Sequence, residues 1–423
     1  MTQTRLFRPS ALSLALCLSL GLALPLTSAF AQEDASTREP PAAVWKNERN
    51  FNAVQKAWEL VANEEYAEAK LEFAELVEKI KDPYERSQAM FGLAQAQMAS
   101  DDFDSALKLY EQIVEMDVLP NQPHFDAMFQ IAQLYYMRER YDDSLRWIDK
   151  WQEESGQVKV EAYELRASIY AQRDDFVKAL ENIDIAIGMS DAPKETWYQL
   201  KLAMHYELKQ FPESRDTLEI LLRGWPEKKQ YWTQLSSINV TLKNDKEALA
   251  LLALAHRRGM LETEQELIQL FSLYGYLELP VKAAEILSEG LESGVIEPTQ
   301  KYWEQLGNAW YASQELDKAV VALANAAELS LDGKLDMQVA HILIDKEDWG
   351  AAKKSLTAAI DKGGLTETQT GNMYVLLGMA ELNTENTSAA RTAFQTARKY
   401  DKTRQSAQQW LNHLDELSKR SGP

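Results

Sequence analysis

Five histidines, three aspartate pairs and one cysteine are the residues of this chain whose types could carry chemistry. The histidines (His124, His205, His256, His341 and His413) stand singly and far apart. A hydrolytic zinc site on a helix needs two histidines one turn apart with a glutamate between them, and no His-Glu-x-x-His occurs. No Gly-x-Ser-x-Gly presents a nucleophilic serine, and no glycine-rich loop offers backbone amides to a phosphate. Asp101-Asp102, Asp142-Asp143 and Asp174-Asp175 resemble metal ligands. Each pair precedes a helical stretch, however, where a carboxylate caps free N–H groups and meets the positive helix end. The remaining carboxylates follow helix-surface spacing without a catalytic dyad. The reading is therefore non-enzymatic, with no catalytic residue, no metal and no cofactor.

Charge narrows the partners. The formal net charge is −20. That argues against nucleic acid and against an anionic membrane surface, and it favours a soluble protein that receives basic segments. Residues 1–31 read as a secretory signal: Arg5 and Arg8 form the positive start, Ala11 to Leu26 is apolar, and Ala29-Phe30-Ala31 is a small-x-small cleavage pattern. Cleavage is expected between Ala31 and Gln32, leaving no stable membrane insertion. Loss of Arg5 and Arg8 takes the charge from −20 to −22. Cys17 is the only cysteine, so the processed chain must hold itself together by packing alone. A lipid on Cys17 is ruled out by Leu16, where a small residue is required. Residues 32–43, with Pro40-Pro41, read as a flexible tether, and a helix is expected from Val44.

The elements that follow repeat. A small residue recurs at Ala69, Ala106, Ser144, Ala179, Ser214, Ala248, Ala283, Ala319, Ala352 and Ala390, in steps of 33 to 38 residues. Three residues before it stands an aromatic or a leucine in most repeats, such as Tyr66, Phe103, Tyr141 and Leu316. Two antiparallel helices can approach closely only where small residues face each other and large apolar ones fill the flanks. The prolines fall between these units or at the turn inside them, where proline suits a first helical turn. Two repeats deviate. The fifth has one residue fewer between Tyr206 and Phe211 than the fourth has between Tyr170 and Phe176, which reads as a shorter turn. The sixth lacks an aromatic before its marker Ala248. Residues 403–423 supply a closing amphipathic helix with Trp410, Leu411, Leu414 and Leu417.

The stretch Gln300 to Leu331 shows the unit most clearly, with Trp303, Leu306-Gly307, Trp310, Leu316, Ala319 and Leu323. It resembles the tetratricopeptide repeat, W-x2-L-G-x2-Y followed by A-x3-F, with Trp310 in the tyrosine place and Leu323 in the phenylalanine place. The resemblance implies an all-α fold, a right-handed solenoid of about ten helix-turn-helix repeats over residues 44–402. It would carry N- and C-terminal capping helices around one continuous core.

In this family the first helices of successive repeats line a concave face. The resemblance places Phe91, Gln95, Met98, Phe129, Gln133, Tyr136 and Met137 on that face, and Glu161 and Glu164 at its acidic end. Such a groove suits an extended or helical segment of a partner. Lysine is missing from the fifth groove position of every repeat, and the ninth carries asparagine only at Asn308, so a clamp for acidic C-termini is not expected. The whole arrangement also resembles the periplasmic repeat proteins that accompany TonB-type energy-transduction systems in marine gammaproteobacteria. That implies a periplasmic scaffold for envelope proteins, with basic or proline-rich segments as partners. Scaffolds of exopolysaccharide export, and of envelope or cell-wall assembly, are the alternatives.

Overall fold

The computed structural model describes residues 36–420, so the signal residues and the Ala31/Gln32 cleavage site lie outside it. Among the described residues all regular secondary structure is α-helix. The chain divides into two compact units at Ser190/Asp191, where the sequence suggested a single continuous core. The dividing stretch, residues 189–194, contains Ser190, Asp191, Ala192 and Pro193 and is poor in large apolar side chains.

The first unit contains four helical hairpins: α1 Glu48–Ala62 with α2 Tyr66–Lys79, α3 Pro83–Met98 with α4 Phe103–Met116, α5 Asn121–Met137 with α6 Tyr141–Ser155, and α7 Val160–Gln172 with α8 Phe176–Gly188. The second contains six: α9 Glu195–Glu207 with α10 Phe211–Gly224, α11 Lys229–Thr241 with α12 Asp245–Arg257, α13 Glu264–Tyr276 with α14 Pro280–Glu292, α15 Gln300–Ala312 with α16 Leu316–Glu328, α17 Lys334–Asp345 with α18 Trp349–Lys362, and α19 Glu367–Asn383 with α20 Thr387–Ala397. A last helix, α21 Arg404–Arg420, closes the second unit.

All ten hairpins turn in one way. The residue five before each small marker adopts left-handed backbone: Glu64, Asp101, Glu139, Asp174, Lys209, Lys243, Glu278, Gln314, Glu347 and Glu385, with φ between +57° and +62°. The next N–H then donates back to a carbonyl of the first helix, as Glu65 to Leu60 at 2.8 Å and Glu315 to Trp310 at 3.0 Å. This closes the helix end that would otherwise leave carbonyls unpaired. The fifth repeat is no exception. Three residues separate α7 from α8, and three separate α9 from α10. The expected shorter turn is absent, because Tyr206 aligns with Ala171 and not with Tyr170. The sixth hairpin, built around Lys243, is equally regular.

The markers are where the helices touch. All ten are at most 1% exposed, and the residues four positions on, from Phe73 and Tyr110 to Leu323 and Phe394, are fully buried. Gly307 shows the tolerance: a Cβ there would lie 2.5 Å from Leu323 Cγ. Ala319 and Leu306 are buried beside it, and Trp303 is half-buried against the same core. Serine at the contact bonds locally at Ser214, which donates to the Gln210 carbonyl, and across the hairpin at Ser144 and Ser236. Ser144 donates to the Ala132 carbonyl at 2.6 Å and Ser236 to that of Ala248 at 2.9 Å, so neither buried hydroxyl is left unpaired.

Helix ends follow local chemistry. Asp102 and Asp175 cap α4 and α8 through the N–H groups of Ser105 and Lys178. Asp142 and Asp143 depart from the capping expectation. They sit in the first turn of α6 and pair with Arg173 and Arg140, both at 2.6 Å, while Arg140 occupies the cap position. α1 begins at Glu48 and not at Val44, because the Asn47 side chain accepts the Arg49 N–H and fixes the start there. At the other end, α21 buries Leu411 and Leu414, with Trp410 stacked on Phe394 at 5.5 Å.

Candidate functional site

In the first unit most of the expected groove side chains are engaged inside their own hairpins. Phe91 meets Tyr110 of α4 edge-on at 5.6 Å, and Gln95 donates to the same tyrosine's hydroxyl at 2.8 Å. Phe129 packs on Trp151 of α6 at 5.3 Å and is only 9% exposed, so it is core rather than an open anchor. Tyr136 tilts against Tyr141 at 6.0 Å, and burial raises its hydroxyl pKa above the usual value. Met98 is half-buried, and Gln133 keeps its side-chain oxygen buried without a hydrogen-bond partner. Met137 and Glu161 are exposed, and Glu164 is half-buried.

The last two of these positions, those of Tyr136 and Met137, are open in the second unit. Three hairpins in succession present Val240, Tyr276 and Tyr311 at 40%, 70% and 43% exposure. Earlier on the same first helices lie the exposed polar residues Gln230, Ser237, Gln265, Ser272 and Asn308. These residues were not singled out from the sequence. Counting back two or three positions from each left-handed turn residue would have found Tyr276 and Tyr311.

Side-chain bonds hold successive first helices of this unit in register. Glu195 of α9 pairs with Lys228 beside α11 at 2.5 Å, and Lys229 of α11 reaches Glu266 of α13 at 3.1 Å. Glu264 of α13 accepts from Tyr302 of α15 at 2.8 Å, and Gln338 of α17 donates to Asn308 at 2.8 Å. The Glu297 N–H and the Tyr302 hydroxyl hold the Glu264 carboxyl below its usual range. Equivalent positions therefore form a row. Apart from it, Glu285, Glu289 and Glu292 of the second helix α14, with Trp310 of α15, line an open cleft of about 500 Å³. Lys318 lies 4.3 Å from the Trp310 ring centre, so a cationic side chain already stands over the aromatic wall of this cleft, and the His256 imidazole lies 3.2 Å from Glu289.

Among the described residues no group of three or more His, Cys, Asp or Glu side chains is placed to hold a metal ion. No helix there is long and apolar enough to cross a membrane.

Stacked helical hairpins around small-residue contacts define an all-α repeat protein. Residues 54–117 and 91–159 match the tetratricopeptide-repeat family, and with ten hairpins of one geometry the chain is a tetratricopeptide-repeat protein. No curated protein matches it. Similar solved structures include a tetratricopeptide repeat protein from Parabacteroides merdae ATCC 43184, 13% identical over 67% of this chain and 94% of that one, with a TM-score of 0.39. The Cut9–Hcn1 hetero-tetramer of the APC/C is 13% identical over 86% of this chain and 83% of its own, with a TM-score of 0.26. MamA is 15% identical over 42% of this chain and 94% of its own, with a TM-score of 0.31.

Proposed function

We propose that this chain is an exported, non-enzymatic scaffold of the bacterial periplasm that holds basic or proline-rich segments of envelope proteins. A TonB-type energy-transduction system is the machine it would serve. The observation that carries the reading is the exposed row Val240, Tyr276 and Tyr311. Aromatic rings that face solvent in line mark an interaction surface, and surface carboxylates, such as those of Glu285, Glu289 and Glu292 on the same unit, favour a cationic partner. The net charge of −20 supports the same choice. In the first unit, Met137 and Glu161 offer a patch of their own, while Phe91, Phe129 and Tyr136 shape it from within.

The test is a fluorescence-anisotropy titration with a labelled Lys/Pro-rich peptide and an acidic peptide of equal length. The basic peptide is expected to bind and the acidic one not. Tyr276→Ala with Tyr311→Ala should weaken binding by about 2 kcal/mol, roughly thirty-fold, at unchanged helicity. Equal binding by the folded double variant would remove the row from the site. Fractionation of cells tests the export, and co-purification with ExbB/ExbD/TonB-like proteins tests the system.

A further inference from the structure

Residues 36–38 of the segment expected to be a loose tether are bonded to the first unit, and the stretch that follows is bonded again at Lys46 and Asn47. Ser36 and Thr37 donate to the Glu154 carbonyl at the end of α6, at 3.1 and 3.2 Å. Arg38 closes over the connection between α4 and α5: it donates to Asp117 and Asn121, each at 2.8 Å, and to the Leu119 carbonyl at 2.9 Å. Further on, the N–H groups of Lys46 and Asn47 share one oxygen of Glu85 at 2.7 and 2.8 Å, and Asn50 takes the other at 2.6 Å. Glu85 is 1% exposed. The strap thus follows the edge where one hairpin connects to the next.

His124, in the first turn of α5, lies between the two anchors of this strap. It is 3% exposed. Its Nδ1 is 3.9 Å from Asp117, which Arg38 holds, and its Nε2 is 3.9 Å from the carboxylate of Glu154, whose carbonyl receives Ser36 and Thr37. Nδ1 makes no hydrogen bond. The charged groups around it are Arg38 on the strap, Asp117 on the connection, and Lys150 and Glu154 on α6.

We propose that residues 36–47 are a proton-released latch, in which neutral His124 lets Arg38 close over Asp117 and protonated His124 pushes the strap off the edge. The occupant of this edge is the chain's own N-terminal segment. Burial, then the charge of Arg38, lowers the imidazole from 6.5 to about 4; Asp117 pulls the other way and Lys150 adds to the depression. The sign follows. The closed form binds its proton less readily than the open one, so above pH 6.5 closure does not depend on pH. As pH falls from 6.5 to 4 the open form gains up to tenfold per unit, about 80-fold over that range.

The experiment is performed on the full-length protein with ¹³C-labelled histidine, each of the five resonances being assigned by single substitution. Wild-type His124 is expected to titrate near 4. In Arg38→Ala, which removes the central anchor, it should move toward 6.5. Amide exchange of Thr37, Lys46 and Asn47, corrected for intrinsic rate, should accelerate at least tenfold between pH 7 and pH 5 in wild type. It should be independent of pH in His124→Gln, and fast at every pH in Arg38→Ala. Circular dichroism checks that both variants keep their helices; should His124→Gln fail this check, the Arg38→Ala titration decides alone. Wild-type His124 titrating near 6.5, an unchanged value in Arg38→Ala, or strap exchange in wild type that ignores pH would each overturn the latch.

Discussion

Gly307→Ala and Gly275→Ala are the same substitution with opposite expected signs. At Gly307 the new methyl carbon would stand 2.5 Å from Leu323 Cγ, 2.8 Å from its Cδ2 and 3.1 Å from its backbone nitrogen. Leu323 is fully buried, so its side chain has nowhere to move, and the backbone contact requires the two helices to part. Overpacking of this kind costs about 1–3 kcal/mol, while alanine returns up to about 1 kcal/mol of helix propensity. The net expectation is a loss of about 1–2 kcal/mol. At Gly275, in the last turn of α13, nothing lies within 4 Å of the added carbon, so a gain of about 0.5 kcal/mol is expected. Urea unfolding of the second unit reads both, and exchange protection in α15 and α16 locates the first, since loss in a repeat array stays with near neighbours. Leu323→Ala costs about 2–5 kcal/mol alone, but less in the Gly307→Ala background because it relieves the overlap. If Gly307→Ala stabilises as Gly275→Ala does, the close approach of α15 and α16 is refuted.

The turn residues give a second test. Gln314→Gly should stabilise by about 0.5–1 kcal/mol, since glycine escapes the left-handed penalty but loses more chain entropy, whereas Gln314→Val should destabilise by more than about 1 kcal/mol; urea midpoints decide. Glu85→Ala removes the acceptor of three donors and should raise exchange throughout the start of α1, an effect of about 1–3 kcal/mol in local opening. Mass spectrometry of the protein from a periplasmic fraction should find Gln32 as the first residue, and a lipid on Cys17 would contradict the proposed cleavage.

The hairpins were legible because one spacing controls them. The small marker, its buried partner four residues on and the turn five residues before depend on backbone approach, which residue size reports directly. The fate of Phe91, Phe129 and Tyr136 was not legible in the same way. Whether a groove residue stays open depends on the ring across the hairpin, and Tyr110, Trp151 and Tyr141 draw these three inward. Tyr311 takes the place of Tyr136 in its repeat, but the place of Tyr141 is filled there by Leu316, which has no ring, and Tyr311 stays outside. The start of α1 and the path of residues 36–47 were hidden for another reason. They rest on Glu85, Asp117 and Glu154, each far along the chain from the segment it holds.

The left-handed turns of the first unit carry only carboxylates: Glu64, Asp101, Glu139 and Asp174, all exposed. Identical turn geometry sets them at regular intervals along one rim, a comb of negative charge with teeth one hairpin apart. Salt screens the repulsion between such teeth over about 10 Å at 0.1 M and over roughly 30 Å in a 10 mM buffer. Dilute buffer therefore strengthens the repulsion from one turn to the next, and Arg138, Arg140 and Arg173, set beside the teeth, offset part of it.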